Sequence, residues 1–374
     1  MMSDNLYINF LRNMSGWRFS SVLYISIMFS ATVHAQKFVN DFLNIGVGAR
    51  AHGMFGAVAA STADGNSGYW NTAGLTDVDV PLQINAMHAK WFGGIANYDN
   101  ISIAKKFSSE KKSVVAFSFI RLGVDNIPNT LNLIGPDGSV NYDRIKSFSV
   151  ADYAGIFSYA QAIDQEGNFS LGGNIKIIHR TIGSFGKAWG FGTDFGAKFR
   201  KGNLSIGLFA RDITTTINAW TFNLTEEEKQ VFASTGNDIP VSSTEIALPK
   251  LIAGVAYKTV KGDFSLLTEV NLRISTDGTR AGVLSGDKFS VDPVLGLEAG
   301  YAQKVFVRMG IGNLQTVLNE SNPDARIFEL QPNIGMGLKL GRLKIDYGLT
   351  NVGSVSGVLV SHIFSAALDF VPRS

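Results

Sequence analysis

Residues that could catalyse a reaction or bind a metal are sparse in this chain of 374 residues. Cysteine is absent, which excludes a thiol nucleophile, a disulfide framework and a cysteine-based metal site. No serine-hydrolase elbow and no phosphate-binding Walker motif occurs. The histidines do not stand at metal-ligand spacing; they are His34, His52, His88, His179 and His362. The sequence therefore predicts no catalytic residue, no metal and no cofactor, and we expect a protein that is not an enzyme.

One histidine has neighbours that suggest chemistry. His179 lies near Arg180 and Ser184 in the glycine-containing stretch GGNIKIIHRTIGSFG (172–186). The pattern predicts a strand followed by a turn, so we interpret His179 as structural and do not predict phosphate binding there. A lipid-modifying enzyme would need a serine or histidine nucleophile with its base at the lipid boundary, and the sequence shows no such pair.

Charged residues recur at alternate positions of apolar segments. In AWGFGTDFGAKF (188–199), Asp194 and Lys198 share one side with glycines, and Trp189 and Phe195 stand on the other. This period of two predicts strands with one apolar and one polar face. The charges predicted to face an interior are Asp194, Lys198, Arg211, Glu269, Glu298, Arg308, Lys339 and Asp346. Because they are of both signs, we expect a network of salt bridges inside the fold.

About fourteen such strands follow residue 82, each about ten residues long, which is the length that crosses a bilayer when tilted. They are predicted at 82–91, 98–107, 112–122, 146–159, 169–180, 188–200, 203–212, 247–258, 262–273, 290–302, 304–313, 328–340, 342–350 and 360–370. A soluble β-sandwich would show the same alternation. The fold class is nevertheless predicted as all-β, a transmembrane antiparallel β-barrel, because of the connections between the strands.

Short and long connections alternate along the chain. Turns such as 201–203 and 341–342 are short and polar, whereas 123–145, 213–246 and 314–327 are long. Outer-membrane barrels show this asymmetry, with the short turns in the periplasm. We therefore predict an integral outer-membrane protein with long extracellular loops and periplasmic termini. Thr225 and Glu228 form a capping box that predicts a short helix within the longest loop.

The N-terminus has the pattern of an export signal. Arg12 and Arg18 precede the apolar stretch SVLYISIMFSATVHA (21–35), which ends in a small-residue cleavage site before Gln36. An N-terminal membrane anchor is the alternative interpretation, but the apolar stretch is short for a helix that spans a bilayer. A start at Met14 instead of Met1 would give a leader of more ordinary length. The net charge is only +2, with 17% charged residues, so no nucleic-acid partner is predicted.

The segment that follows the export signal carries a motif. Residues 41–78 read DFLNIGVGARAHGMFGAVAASTADGNSGYWNTAGLTDV and resemble the N-terminal signature of the PorV/PorQ family, within the wider FadL-like group of outer-membrane barrels. Phe55 stands where that family has glycine, and Thr72 where it has proline. The matching residues singled out are Gly48, Ala49, Arg50, Gly53, Met54, Gly56, Asp64, Tyr69, Trp70, Asn71, Ala73, Gly74 and Leu75.

The resemblance implies a barrel of fourteen strands whose N-terminal segment folds into the lumen as a hatch. It gives three predicted parts: a signal peptide (1–35), a hatch (36–81) and the barrel (82–374). Within the hatch, Arg50 is expected to pair with a lumenal carboxylate, for which Asp194, Glu269, Glu298, Asp346 and Asp369 are the candidates.

The resemblance also implies a function. Proteins of the PorV type serve the type IX secretion system of Bacteroidota, so the expected partners are outer-membrane lipid, the translocon or attachment-complex proteins, and the C-terminal domains of cargo. FadL-like relatives instead carry hydrophobic small molecules through the barrel wall. The leading hypothesis from the sequence is the secretion role, and the alternative is a transporter with a hydrophobic ligand in an apolar pocket between hatch and wall.

Overall fold

The alternating segments form strands that pair side by side into a closed ring. The computed structural model describes residues 39–108, 112–131, 133, 139–276, 284–285, 289–319, 322–352 and 360–371. Every described strand pairing is antiparallel, and β1 pairs with β17 to close the ring. The strands are β1 (Leu82–Trp91), β2 (Ala96–Ser108), β3 (Ser113–Asn129), β4 (Lys146–Ala162), β5 (Phe169–Ile182), β6 (Gly186–Lys201), β7 (Leu204–Arg211), β8 (Thr216–Phe222), β9 (Thr244–Ala247), β10 (Lys250–Lys261), β11 (Phe264–Ser275), β12 (Leu284–Ser285), β13 (Ser290–Tyr301), β14 (Val305–Asn319), β15 (Asn322–Leu340), β16 (Leu343–Thr350) and β17 (Ser361–Phe370).

Fourteen of these described strands make the ring, as predicted. The short strand β12 pairs only with β13, and β9 pairs with β8. Strands β7 and β8 share the partner β6, so β8 continues the line of β7 after an interruption at residues 212–215. Asp212 and Thr215 have positive φ angles there, of 55° and 60°. The predicted all-β antiparallel barrel is confirmed.

The two ends of the ring differ. The chain enters at Leu82 and leaves at Phe370, and these two residues pair with each other. The neighbouring connections at this end are two residues long at 202–203, 262–263 and 341–342. We call this the turn end of the barrel, and the opposite end the loop end. Which end faces the cell exterior stays a prediction.

Side chains alternate between the two faces of the wall because successive residues of a strand point to opposite sides. Ile175, Phe195 and Val307 are exposed on the outer face, as the sequence pattern predicts. Of the predicted interior charges, seven are buried or nearly so: Asp194, Lys198, Arg211, Glu269, Glu298, Arg308 and Asp346. Lys339 is exposed and lies near the turn end of β15.

Residues 39–81, which we call the hatch segment, lie inside the ring. The segment contains two short helices, α1 (Ala49–Gly53) and α2 (Ser67–Trp70), and 3-10 turns at Asp41–Asn44 and Thr72–Asp77. Helix α1 packs against β14 to β17, and the second 3-10 turn packs against β3 to β6. The segment therefore contacts the wall on opposite sides. The predicted signal peptide lies outside the described residues.

The structure corrects three predicted loops. Strand β8 and most of β9 lie within the predicted loop 213–246. Strand β3 continues to Asn129, and β14 and β15 together cover most of 314–327, so part of each predicted loop is strand. A helix α3 (Glu226–Ser234) confirms the prediction from the capping box, since Thr225 and Glu228 make both of its hydrogen bonds. Within the described part of the chain, no helix is long and apolar enough to span a membrane.

Candidate functional site

Wall side chains hold the backbone of the hatch segment. The segment has little regular secondary structure, so its buried N–H and C=O groups need partners from elsewhere. Glu269 accepts hydrogen bonds from the backbone N–H groups of Ala60 at 2.7 Å and Ser61 at 3.0 Å. Lys198 donates to the carbonyl oxygen of Thr62 at 2.7 Å, and Asn333 donates to that of His52 at 2.9 Å. The interior polar side chains thus supply the backbone hydrogen bonds that a strand or helix would otherwise make.

A buried ion-pair network ties α1 to the wall. Arg50 Nε donates to Glu298 Oε2 at 2.8 Å, and Glu298 is one of the partners that the sequence suggested. Arg308 donates to the same oxygen at 2.6 Å and to Asp346 Oδ1 at 2.8 Å, and its side chain is fully buried. Burial disfavours the charge of Arg50, but the attraction of Glu298 outweighs it and raises the pKa of Arg50. The three partners therefore keep α1 seated on β13 to β16.

A second cluster lies on the opposite side, at the interruption between β7 and β8. Lys176 Nζ contacts Asp194 at 2.7 Å and Asp212 at 2.5 Å, and all three side chains are buried or nearly so. Asn174 links this cluster to the hatch segment, because it donates to Asp194 at 3.0 Å and to the carbonyl oxygen of Gly68 at 2.7 Å. Sequence reasoning placed Asp212 at a strand end and missed this role, since only the strand interruption turns it inward.

The residues of the predicted hatch motif fall into two groups. Gly48, Ala49, Arg50, Gly53, Met54 and Gly56 lie in or beside α1, whereas Asp64, Tyr69, Trp70, Asn71, Ala73, Gly74 and Leu75 lie around α2 and the second 3-10 turn. Asn71 holds the second group together, since its amide donates to the carbonyl oxygen of Ala59 at 2.8 Å and its side-chain oxygen accepts from the N–H of Ala73. Their role as a functional motif stays a prediction.

The hatch segment leaves a cavity on each side of itself. The larger one, at the loop end, has a volume of about 470 Å³. Its lining is mixed. It includes the apolar residues Ile45, Phe55, Trp70, Trp91, Leu251, Ile252 and Ile274, the basic residues Arg211, Lys250 and Arg273, the acidic residues Asp41 and Asp292, and the amides Asn44, Asn313, Gln331, Asn333 and Asn351. The smaller one, at the turn end, has a volume of about 150 Å³ and is mainly polar. Its lining includes Arg50, Asp64, Asn66, Gln83, Asn85, Lys339, Lys344, Asp346 and Asp369.

Phe55 shapes the loop-end cavity from a backbone position that suits glycine. Its φ angle is 54°, in the left-handed region that costs a side-chain-bearing residue about 1–2 kcal/mol. The ring packs on Gly312 and lies 5.8 Å from the guanidinium of Arg273, which donates at 2.6 Å to the carbonyl oxygen of Phe55. The sequence departs from its family resemblance at this residue, and the departure places an aromatic wall in the cavity.

His52 is a buried neutral group beside the same cavity. Its Nε2 lies 3.1 Å from the carbonyl oxygen of Gly46 and its ring centroid 5.5 Å from that of Trp91. Burial lowers the pKa of His52 from 6.5 to about 4, and the hydrogen bond to Gly46 opposes this shift only in part. The ring is therefore neutral at physiological pH and Nε2 carries the hydrogen that it donates.

We predict that acidification loosens the hatch segment through His52. When the segment is released, His52 regains a pKa near 6.5 and binds a proton, so the seated state loses stability as pH falls from about 6.5 toward 4. At pH 5 the loss is about 2 kcal/mol. Deuterium exchange of residues 45–56 at pH 7.5 and 5.0, corrected for intrinsic rates, should show it. The His52→Phe variant should lack this pH dependence, and an equal response in both proteins would contradict the assignment.

The fold and the site together define a class of protein: a closed antiparallel barrel whose interior segment separates two cavities. Among the described residues, no group of three or more His, Asp or Glu side chains is placed to bind a metal. No family model and no curated protein matches the chain.

Solved structures share the fold at low sequence identity. The Ralstonia pickettii toluene transporter TbuX is 12% identical, with a TM-score of 0.50, over 87% of this chain and 98% of that chain. The CymD monoaromatic hydrocarbon channel is 12% identical, with a TM-score of 0.51, over 88% and 99%. The Pseudomonas putida toluene transporter TodX is 10% identical, with a TM-score of 0.53, over 87% and 98%. The chain thus shares the barrel fold of these proteins, and its PorV/PorQ and FadL-like resemblance stays a prediction from residues 41–78.

Proposed function

We propose that this protein is an integral outer-membrane barrel that takes up a hydrophobic small molecule into the loop-end cavity. The observation that carries the proposal is this cavity of about 470 Å³ between hatch segment and wall. Ligand sites are typically concave and largely apolar, with a few polar groups that orient the ligand. Trp91 and Ile274 from the wall and Trp70 and Phe55 from the hatch segment supply an apolar patch, and polar side chains, Arg273 and Asp292 among them, make up the rest of the lining.

The fold supports the same proposal. The three solved structures described above are named as toluene transporters and as a monoaromatic hydrocarbon channel. The proposal therefore reverses the order that the sequence suggested, in which secretion came first and small-molecule transport second. The expected export signal at residues 1–35, with periplasmic termini and extracellular long loops, belongs to this proposal.

Binding of tritiated toluene by equilibrium dialysis tests the proposal, with protein-free micelles as the blank. Ile252 is buried and lines the cavity, so we predict that Ile252→Trp fills the space and weakens binding roughly tenfold, about 1.4 kcal/mol. Ile177→Trp is the matched control, because Ile177 is exposed on the outer face. Equal binding by both variants, or no binding above the blank by the wild-type protein, would count against a toluene-like ligand in this cavity.

The type IX secretion role is the second candidate. It is favoured by the residue signature at 41–78 and by the buried ion pairs that hold the hatch segment, since a permanently seated hatch suits a docking protein. The exposed helix α3 offers a docking element in the longest connection. Affinity purification of the tagged protein from solubilised outer membranes tests this role. Co-purification of a large translocon barrel or of cargo C-terminal domains would support it, and their absence would remove it.

A further inference from the structure

Trp70 stands between the two cavities. Among the described residues, it is the one side chain that lines both the loop-end cavity and the turn-end cavity. Other hatch residues line one cavity only: Arg50 and Asp64 face the turn end, and His52 and Phe55 face the loop end. The indole of Trp70 therefore separates the loop-end cavity from the turn-end cavity. The two cavities lie one after the other along the barrel interior.

The indole is held in a slot made by two glycines. A Cβ atom on Gly46 or Gly56 would lie 2.9 Å from Cη2 of the indole, closer than real Cβ contacts come. Both glycines have positive φ angles, 103° and 73°, which a larger residue would adopt only with strain. The indole Nε1 donates to the carbonyl oxygen of Val47 at 2.9 Å, and the ring of Tyr69 packs edge-on at 5.0 Å. The indole is thus fixed from several sides.

We propose that Trp70 is the shutter of a passage that joins the two cavities and so connects the loop end of the barrel with the turn end. The passage is the one along which the proposed transport would run, so this inference rests on the proposed function for its cargo. Its geometry is independent of cargo. Gln83, Asn85 and Lys344 give the turn-end cavity a polar lining. This lining would keep the turn-end half of the passage hydrated once the indole is displaced.

If Trp70 closes the passage, it limits the flow of ions through the barrel. We expect the wild-type barrel in planar bilayers to conduct ions poorly, and Trp70→Ala to conduct about tenfold better, because a hydrated path replaces the indole. Trp91→Ala is the matched control. Trp91 also carries an indole, but it lines the loop-end cavity alone, so its removal enlarges that cavity without joining the two. Equal conductance of Trp70→Ala and Trp91→Ala would overturn the proposal.

A thiol experiment distinguishes two causes of a higher conductance: loss of the ring at position 70 and displacement of the whole hatch segment. Because the chain has no cysteine, Trp70→Cys carries a single thiol. We expect this variant to conduct like Trp70→Ala, and benzyl methanethiosulfonate to lower the conductance again by attaching a ring at position 70. If the reagent leaves the conductance high, the ions pass because the hatch segment is displaced. That result would contradict the proposal that Trp70 closes the passage. Ion flow is measured without cargo, so a failure to bind toluene would overturn the proposed function and leave the shutter standing.

Discussion

Gly207→Ala combined with Gly310→Ala is expected to expel the hatch segment from the barrel. A Cβ atom on Gly207 would lie 2.2 Å from the carbonyl oxygen of Ala59, and one on Gly310 would lie 2.2 Å from the carbonyl carbon of Met54. Both contacts are with backbone, which cannot turn away as a flexible side chain can. Overpacking of this kind costs about 1–3 kcal/mol per site, and more where nothing yields. The added methyl groups would press on the hatch segment from β7 and from β14.

Trypsin measures the release. Arg50 is the one lysine or arginine between residues 39 and 81, and in the seated segment it is buried against Glu298. The double variant should be cut after residue 50 many times faster than the wild-type protein. Retention of the compact form in unheated gel samples would show that the barrel itself is intact.

Gly155→Ala is the matched control for the double variant. Gly155 lies in β4, and a Cβ atom there would approach only the ring of Phe117, at an ordinary 3.6 Å. We expect this variant to be cut as slowly as the wild-type protein. Slow cleavage of the Gly207→Ala, Gly310→Ala protein as well would mean that the hatch tolerates the added methyl groups, and the close packing would not be what positions it.

The barrel could be predicted from the sequence because its two solvents differ so strongly. An apolar outer face and a polar interior impose a period of two on every strand, and Asp194 beside Phe195 already shows which side is which. The prediction was wrong where this contrast fades. β14 extends to Asn319 and β15 begins at Asn322, in a stretch where the alternation of apolar and polar residues no longer separates strand from loop.

The interior site could be predicted only in its components. The resemblance at 41–78 implied a hatch in which Arg50 would meet a wall carboxylate, but five carboxylates were open and the structure selects Glu298. Which wall side chain binds which backbone group depends on how an irregular segment seats, and no periodicity encodes that. The pairing of Glu269 with two backbone N–H groups and the position of Trp70 between two cavities are features of this kind.

Glu298→Gln is expected to have the largest effect of any single polar substitution that we consider. Glu298 faces two guanidinium groups, those of Arg50 and Arg308, at 2.8 and 2.6 Å. Without its charge, Arg308 and Lys344 keep Asp346, whereas Arg50 loses the carboxylate that it pairs with, and Arg308 is fully buried. Removing one partner of a buried ion pair costs about 3–5 kcal/mol, because the other charge stays buried and uncompensated. We therefore expect faster deuterium exchange throughout α1.

A second substitution separates lost attraction from general damage. In the Glu298→Gln background, Arg50→Met removes one uncompensated charge, so exchange of α1 should slow again relative to the single variant. Glu245→Gln is the matched control, because Glu245 pairs with Arg180 at 3.4 Å on the wall, and Arg180 keeps Asp152 at 2.7 Å. It should leave exchange of α1 unchanged. If Glu298→Gln alone leaves α1 as protected as in the wild-type protein, the ion pairs contribute little and the glycine contacts at β7 and β14 hold the hatch by shape.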